Sequence, residues 1–379
     1  MIADNDDLLN EILLHLPIKS LIKFKSVSKH WLSLISDPNF SRRRNPSFPT
    51  SASAIFFRIY SESGRARPEY NFIDLSHNSN PSRPPFRSLT FVDNKPGIGI
   101  CHSCNGLLLC CASSPNRERR EYYVYNPTTK QYTILPPLIF PRGNSRAVIK
   151  GLTLAFDPSK SPHYKVVCVR NSDAQRGQFQ VEIYSSETGP WRLCSNLGSF
   201  PAQFSTQFND GVFWNGAVHW FCPSGTSLYF KVDEERLGEI PMLPVPDDFD
   251  PLNRMLAYFG ESRDHLHFVD HIHESGEVRL NVYEMERDYS GWFVKYRVDL
   301  SRVSTAFPEL IPSSLFDQLT SQMQYHLFSV LCVVRVLRYN FESTTLYNLR
   351  DTVPAGMETI LHMSLVGYVH QYIESLACV

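Results

Sequence analysis

Residues 6–40 read DDLLNEILLHLPIKSLIKFKSVSKHWLSLISDPNF, and the apolar residues of this stretch recur at helical spacing. The wide apolar stripe of a first helix is formed by Leu8, Leu9, Ile12, Leu13 and Leu16. Pro17 ends that helix, because a proline disfavours the helical conformation in the residue before it. Two further apolar runs, Leu21 to Val27 and Trp31 to Ile35, complete a prediction of three short helices.

The predicted helices carry more apolar surface than they can bury among themselves. A segment of about forty residues makes only a marginal core. The excess therefore predicts a partner, although a helical bundle that packs only on its own chain would show the same periodicity.

Five consecutive motifs in this stretch resemble the F-box, which in this family serves as a docking module. The acidic start leads into LLNEIL at 8–13, and LPIKSL follows at 16–21. The remaining motifs are FKSVSKHW at 24–31 and ISDPNF at 35–40. Asp4 and Asn5 stand where the family usually has Leu-Pro before the acidic pair.

The resemblance implies docking onto a Skp1-type adaptor and, through it, onto a cullin-based ubiquitin ligase. The residues expected to contact the adaptor are the apolar members of the helices and the turn after the first helix: Leu8, Leu9, Ile12, Leu13, Leu16, Pro17, Leu21, Phe24, Val27, Trp31 and Leu34.

The composition is that of an ordinary globular protein with room for more than one domain. The chain has 379 residues, of which 42% are hydrophobic and 20% charged. A net charge of -1 argues against a general nucleic-acid binder. The longest apolar run, Leu327 to Leu337, is too short for a membrane helix. Without a secretory signal at the acidic N-terminus, we expect a cytoplasmic or nuclear protein with reduced cysteines.

The rest of the chain is patterned for strands. Ile55 to Tyr60 and Tyr70 to Leu75 read as strands within an irregular stretch, and short β-type runs alternate with turns beyond residue 97. The equivalent turns recur at roughly 50 residues, the period of kelch-type blades. Because a four-stranded blade cannot bury both faces alone, this period predicts a kelch-like β-propeller. Ring closure then predicts that His362 to Ile373 packs against Ile55 to Leu75.

Several motifs in this part resemble the F-box-associated domain of plant F-box proteins. The matching pieces are SCNGLL at 103–108, YNPTT at 125–129, GLTLAFD at 151–157, VEIYSS at 181–186 and NGAVHW at 215–220. The predicted fold class is α+β multidomain, a three-helix F-box followed by a mainly-β propeller. Its predicted domains are the F-box at 1–43, a linker with the first propeller strands at 44–96, and the propeller at 97–379.

Two groups of residues were weighed as metal ligands. The densest histidine cluster is His265, His267, His271 and His273, and residues two apart on a strand share a face. Cys101 and Cys104 have the spacing of a zinc knuckle, but the adjacent Cys110 and Cys111 point to opposite faces of a strand. Strand ends at a propeller rim and buried, reduced cysteines are the alternatives we favour. We therefore predict no metal and no cofactor.

Three functions fit these patterns. The leading interpretation is the substrate-recognition subunit of a Skp1-cullin-F-box ubiquitin ligase, with the propeller binding an unknown target protein and no catalytic residue of its own. The second is a propeller enzyme acting on glycans, since the turn from Ser185 to Trp191 resembles that of sialidase-type propellers. Such an enzyme needs two facing carboxylates, and the sequence singles out no pair. For the turn itself we favour a hairpin in which Gly189 supplies a positive φ and Trp191 packs between blades. The third is an F-box scaffold that binds Skp1 without forming a ligase.

Overall fold

The computed structural model describes residues 6–44, 52–59, 67–75, 84–93, 97–112, 120–138, 148–172, 177–243, 254–274, 277–299, 335–340, 345–351 and 369–379. Residues 6–44 form a helical module, and the strands that follow make antiparallel sheets.

The helical module contains the three predicted helices and a fourth. Their bounds are α1 Asp6–Leu14, α2 Ile18–Phe24, α3 Lys29–Ser36 and α4 Pro38–Arg44. Pro17 separates the first two helices, as predicted. The hydroxyl of Ser28 caps α3 by accepting a hydrogen bond from the backbone N–H of Trp31 at 3.1 Å.

Helix α4 was expected only as an exit segment. It forms because a proline is favoured at the first helical position, where its missing N–H costs nothing. The Asp37 carboxylate accepts a hydrogen bond from the backbone N–H of Asn39 at 2.7 Å, which satisfies one of the free donors at this helix start.

The first strands match the prediction for the irregular stretch. They are β1 Ala54–Ile59 and β2 Glu69–Asp74. A first four-stranded sheet follows in simple sequential order, with β3 Ile98–Cys104, β4 Leu107–Ala112, β5 Tyr122–Asn126 and β6 Gln131–Ile134.

Three more sheets repeat that order. The second sheet contains β7 Ile149–Ala155, β8 Lys165–Asn171, β9 Gln178–Ser185, β10 Arg192–Leu193 and β11 Ser199–Pro201, the last of which also pairs with β9. The third contains β12 Val212–Trp214, β13 Ala217–Trp220, β14 Leu228–Lys231 and β15 Arg236–Glu239. The fourth contains β16 Arg254–Ser262, β17 His265–Glu274, β18 Glu277–Met285 and β19 Trp292–Asp299. A hairpin of β20 Arg335–Asn340 and β21 Thr345–Asp351 follows.

Apolar side chains fill the spaces between successive sheets. Val124 of the first sheet shares a cluster with Val166 of the second. Val181 of the second sheet shares another cluster with Phe230 of the third. This stacking of antiparallel sheets, each covering its neighbour, is the mainly-β propeller that the sequence predicted. Its kelch-like character stays a prediction.

One glycine permits the close approach of the second and third sheets. A Cβ atom on Gly151 would lie 1.8 Å from the carbonyl oxygen of Phe208, in the 3-10 turn Phe208–Asp210. No side chain fits there, so this turn reaches β7 only because position 151 is glycine.

The C-terminal strand β22, Val369–Tyr372, closes the ring. It pairs antiparallel with β1, with Ala54 opposite Tyr372 and Phe57 opposite Val369, and completes a sheet of order β2-β1-β22. The predicted closure against Ile55 to Leu75 is confirmed for these residues, and residues 362–368 lie outside the described ranges. The chain continues past β22 toward the helical module.

Candidate functional site: the helical module and its C-terminal contact

The core of the helical module includes a residue from the far end of the chain. Four helical side chains and Phe40 are buried together, and the sixth member of the cluster is Leu376. The helical members are Leu9, Leu13, Leu21 and Ile35. Leu376 is only 4% exposed. Part of the apolar excess predicted from the sequence is therefore covered by the chain's own C-terminal residues.

The C-terminal segment, residues 373–379, is held to the first sheet by hydrogen bonds. The buried side chain of Asn126 donates from Nδ2 to the carbonyl oxygens of Ser375 at 3.0 Å and Ala377 at 2.8 Å. The backbone N–H of Ser375 donates to the hydroxyl of Thr128 at 3.2 Å. The same seven residues thus contact a turn of the propeller and the core of the helical module.

Charged side chains lie near the contact between the C-terminal segment and the helical module. Lys19 pairs with Glu374 at 3.1 Å between Nζ and Oε1. Burial lowers the pKa of Lys25 and of Arg44 below their usual values. The guanidinium of Arg44 donates to the carbonyl oxygen of Leu14 at 2.8 Å, which ties α4 to the end of α1.

Several large apolar side chains of the module remain at the surface. Leu8 is 43% exposed, Ile12 42%, Val27 59% and Leu32 45%. Leu8 and Ile12 are four residues apart on α1, so they share one face of that helix. Phe24 and Trp31 pack edge to face with ring centroids 5.3 Å apart and are partly buried. The helical module therefore has exposed apolar side chains at its surface in addition to its buried core.

The histidines singled out in the sequence are held by a carboxylate. The Oε1 of Glu284 lies 3.0 Å from Nδ1 of His265, and its Oε2 lies 3.0 Å from Nε2 of His267. Lys295 also pairs with Glu284. Among the described residues no group of three or more His, Cys, Asp or Glu side chains could hold a metal ion. The side chains of His271 and His273 lie outside the described residues.

The turn before Trp191 places the Trp191 side chain between the first and second sheets. Gly189 has a φ of 95°, the left-handed region that favours glycine. The indole N–H of Trp191 donates to the carbonyl oxygen of Pro136 at 2.7 Å, across to the segment that follows the first sheet. The prediction that Trp191 packs between blades is confirmed.

Comparison with known proteins identifies both parts of the chain. Residues 57–325 match the family described as F-box associated beta propeller domain, and residues 5–43 match the F-box domain. The chain belongs to the F-box proteins with an associated β-propeller. The F-box is the helical module of residues 6–44, and the resemblance inferred from its motifs is confirmed.

Curated relatives from a plant match most of the chain. The F-box protein At5g07610 of Arabidopsis thaliana is 39% identical over 353 residues, which cover 88% of this chain and 79% of that protein. The F-box protein At5g49610 of the same plant is 32% identical over 320 residues, covering 81% of this chain and 82% of the relative. None of the described helices is long and apolar enough to span a membrane.

The predicted adaptor-contact residues of the F-box fall into three groups. Leu9, Leu13 and Leu21 are buried in the F-box core, so they have almost no surface to offer to another protein. Leu14, although not predicted, packs beside this core together with the predicted residues Leu16, Phe24, Trp31 and Leu34. The predicted residues at the surface are Leu8, Ile12, Pro17 and Val27. Asp4 and Asn5, the departure from the family pattern, lie outside the described residues.

Sequence reasoning missed the residues that join the F-box to the propeller. Leu376 lies in a short segment without helical or strand periodicity, and Asn126 was noted only as part of the YNPTT motif. Leu32 was recognised as apolar but was not among the predicted contacts, although it is 45% exposed. Its exposure depends on how α3 packs, which the periodicity of one helix does not show.

Proposed function

We propose that this F-box protein is the substrate-recognition subunit of a Skp1-cullin-F-box ubiquitin ligase. The F-box binds a Skp1-type adaptor, the adaptor links it to a cullin, and the propeller binds a target protein. The observation that carries the proposal is the exposed apolar surface of the F-box. Leu376 packs into the F-box core and leaves these exposed side chains uncovered.

The proposed adaptor surface consists of the exposed side chains of Leu8, Ile12, Val27 and Leu32. It also includes Pro17, which is exposed between α1 and α2. Exposed apolar side chains are enriched where proteins bind one another, because their burial releases water. The buried Leu9, Leu13 and Leu21 support that surface from below by fixing the helices. We thus propose that the exposed residues contact the adaptor and that the buried residues hold the helices in place.

The propeller is proposed to bind the target through its loops, which vary freely on a constant scaffold. Phe204 is a candidate anchor, since it is 97% exposed in the loop between β11 and β12. Lys150 lies over its ring, with Nζ 5.9 Å from the centroid. Aromatic residues dominate the energetics of many protein interfaces, so an exposed aromatic loop residue suits target recognition.

The proposed role is non-catalytic. The receptor brings a target close to the ubiquitin-transfer machinery, and the gain is an increased effective concentration. The proposed compartment is the cytoplasm or the nucleus. The described cysteines are all free, as expected where thiols stay reduced.

The test is copurification of a surface variant with a Skp1-type adaptor. In Leu8→Asp/Ile12→Asp, two half-exposed apolar side chains become charged without disturbing the F-box core. Full burial of such a side chain contributes about 1.5–3 kcal/mol. Taking about half of that for each residue gives about 1.5–3 kcal/mol in total, so the affinity for the adaptor should fall by about 10- to 150-fold.

Phe204→Asp provides the matched control, since it places the same charge on an exposed apolar position of the propeller. It should leave adaptor binding unchanged and can be used separately to test target binding. Adaptor binding by Leu8→Asp/Ile12→Asp at full strength would refute the docking surface. Adaptor binding without cullin copurification or target ubiquitination would indicate a scaffold that does not form a ligase.

A further inference from the structure

Two cysteines of the first sheet lie on neighbouring strands at an irregular point of their pairing. On β4, Cys111 lies opposite Gly99 of β3, and Cys110 lies opposite Ile100. The register then shifts between Ile100 and His102, so Cys101 occupies a bulge two residues from the partner of Cys111. Diagonal cross-strand neighbours lie about 7–8 Å apart, with their Cβ atoms somewhat closer.

The two thiols face the same side of the sheet. Cys101 packs against the apolar cluster between the first and second sheets, together with Tyr122. Cys110 belongs to the cluster on the opposite side. Because successive side chains of a strand alternate, Cys111 points to the side of Cys101. The Cys101 and Cys111 thiols interact directly, and the guanidinium of Arg120 also interacts with Cys111.

Cys111 differs chemically from the other cysteines of the same sheets, whereas the neighbouring Cys111 thiol and burial raise the pKa of Cys101. The Cys101 thiol and Arg120 lower the pKa of Cys111, and a lower pKa favours the reactive thiolate. Burial instead raises the pKa of Cys104, Cys110 and Cys168. Cys101 is partly exposed and Cys111 is buried beside it, so a small oxidant reaches Cys111 on the side of Cys101.

We propose that Cys101 and Cys111 form a redox-sensitive dithiol that closes to a disulfide in the presence of hydrogen peroxide. The Cys111 thiolate attacks one peroxide oxygen, the O–O bond breaks, and the sulfur becomes a sulfenic acid while hydroxide leaves and takes up a proton as water. The Cys101 thiol then loses its proton and attacks the Cys111 sulfur, forming the S–S bond and displacing hydroxide as a second water. Two thiols and one peroxide thus give one disulfide and two waters.

The product would link β3 to β4 beside the boundary between the first and second sheets. In a reducing compartment such a bond is transient, and that transience suits a sensor rather than a structural link. The site is separate from the F-box surface, so it does not depend on adaptor binding.

The test maps the cysteines of the reduced full chain after treatment with hydrogen peroxide. Remaining thiols are blocked with N-ethylmaleimide in denaturant before digestion with trypsin, because Cys104 and Cys110 are buried in the folded chain. Residues 88–117 then form a single peptide with Cys101, Cys104, Cys110 and Cys111, because the Lys95–Pro96 bond resists trypsin. We expect this peptide to lose two hydrogen atoms and to carry blocking groups on Cys104 and Cys110. Hydroxylamine cleavage at Asn105–Gly106 should leave the two halves joined until a reductant is added.

The test uses the unmutated protein, so its result does not depend on whether a variant folds. Blocking groups on Cys101 or Cys111 after peroxide, or a bond through Cys104 or Cys110, would overturn the proposal. Arg120→Gln should slow the reaction, by about threefold for each tenfold loss of thiolate, because the less acidic sulfur is also more nucleophilic. Cys378→Ser removes an exposed thiol elsewhere and should leave the bond and its rate unchanged.

Discussion

Replacing Leu376 with alanine should loosen the F-box while leaving the propeller intact. Leu376 is 4% exposed and lies in one cluster with Leu9, Leu13, Leu21 and Ile35. It is contributed by the C-terminal segment, which is attached to the first sheet through Asn126 and Thr128. The substitution therefore removes apolar contact from the F-box core without touching any propeller strand.

The expected magnitude follows from the burial of this side chain. Truncating a buried Leu to Ala costs about 2–5 kcal/mol, with the larger values where the surroundings do not close the cavity. A core of about forty residues has little stability to lose. The F-box should thus open locally long before the propeller unfolds.

Native-state hydrogen exchange measures this directly. Protection of the Leu13 and Leu21 amides should fall by about 30- to 4000-fold, which is the same free energy expressed as an opening equilibrium. Amides of the propeller strands β4 and β8 should keep their protection. Circular dichroism of the strands and the thermal transition of the propeller should change little.

Cys378→Ala is the matched control in the same segment, since Cys378 is exposed and contacts the F-box through a 4.0 Å hydrogen bond from its thiol to the carbonyl oxygen of Ser36. Its effect on the exchange of the F-box amides should be small. Unchanged protection of Leu13 and Leu21 in Leu376→Ala would refute the role of the C-terminal segment. An equal loss of protection in β4 and β8 would refute the local character of the contact.

Three further outcomes test other parts of the structure. Asn126→Ala removes both Nδ2 hydrogen bonds and leaves the carbonyls of Ser375 and Ala377 unsatisfied, so the free energy of unfolding should fall by about 1–3 kcal/mol in urea titrations. A chain ending before β22 should expose an edge of β1 and aggregate on size-exclusion chromatography, whereas a monomer with an unchanged melting temperature would mean that the ring closes without β22. Burial lowers the pKa of His102 and His219 to about 4 and of His370 to about 3, and it raises the pKa of Glu261 to about 7 and of Asp210 to about 6. Near pH 5 the three histidines bind about three more protons in the unfolded chain, and the two carboxyls bind about two more in the folded chain. For these five groups the unfolded chain therefore binds about one more proton in total. Their contribution to the free energy of unfolding should thus fall by about 1.4 kcal/mol per pH unit on acidification from pH 6 to 5. Glu261→Gln removes one opposing group and should about double that slope, and an unchanged slope in chemical denaturation would contradict the assignment.

The parts of the fold that a single sequence predicts here are those decided by neighbours along the chain. The helical stripe ending at Pro17 and the strands at Ala54–Ile59 and Glu69–Asp74 follow from local periodicity. The turn at Gly189 followed from a residue type that tolerates a positive φ. The helix at Pro38–Arg44 was missed, although Pro38 was a signal for a helix start that the exit motif obscured.

What stayed hidden depends on contacts between distant positions. His267 and Glu284 are direct partners across β17 and β18, and only that register places the carboxylate between two histidines. The histidine spacing alone was also compatible with a metal site, although we favoured strand ends at a propeller rim. Likewise, the apolar excess of the F-box predicted a partner, but nothing in its own pattern distinguishes a separate protein from Leu376.

The position of Leu376 has a consequence for the proposed ligase. Leu376 lies four positions after Tyr372, the last residue of β22, so an extended chain spans about 14 Å between the closing sheet and the F-box core. The F-box is therefore joined to the propeller at two places, through residues 45–51 and through the C-terminal segment. Effective concentration falls with the length of a flexible connection, roughly as its -3/2 power. A second, short attachment keeps the adaptor surface and the target-binding loops at a restricted separation, which favours transfer to a bound target over transfer to proteins that pass nearby.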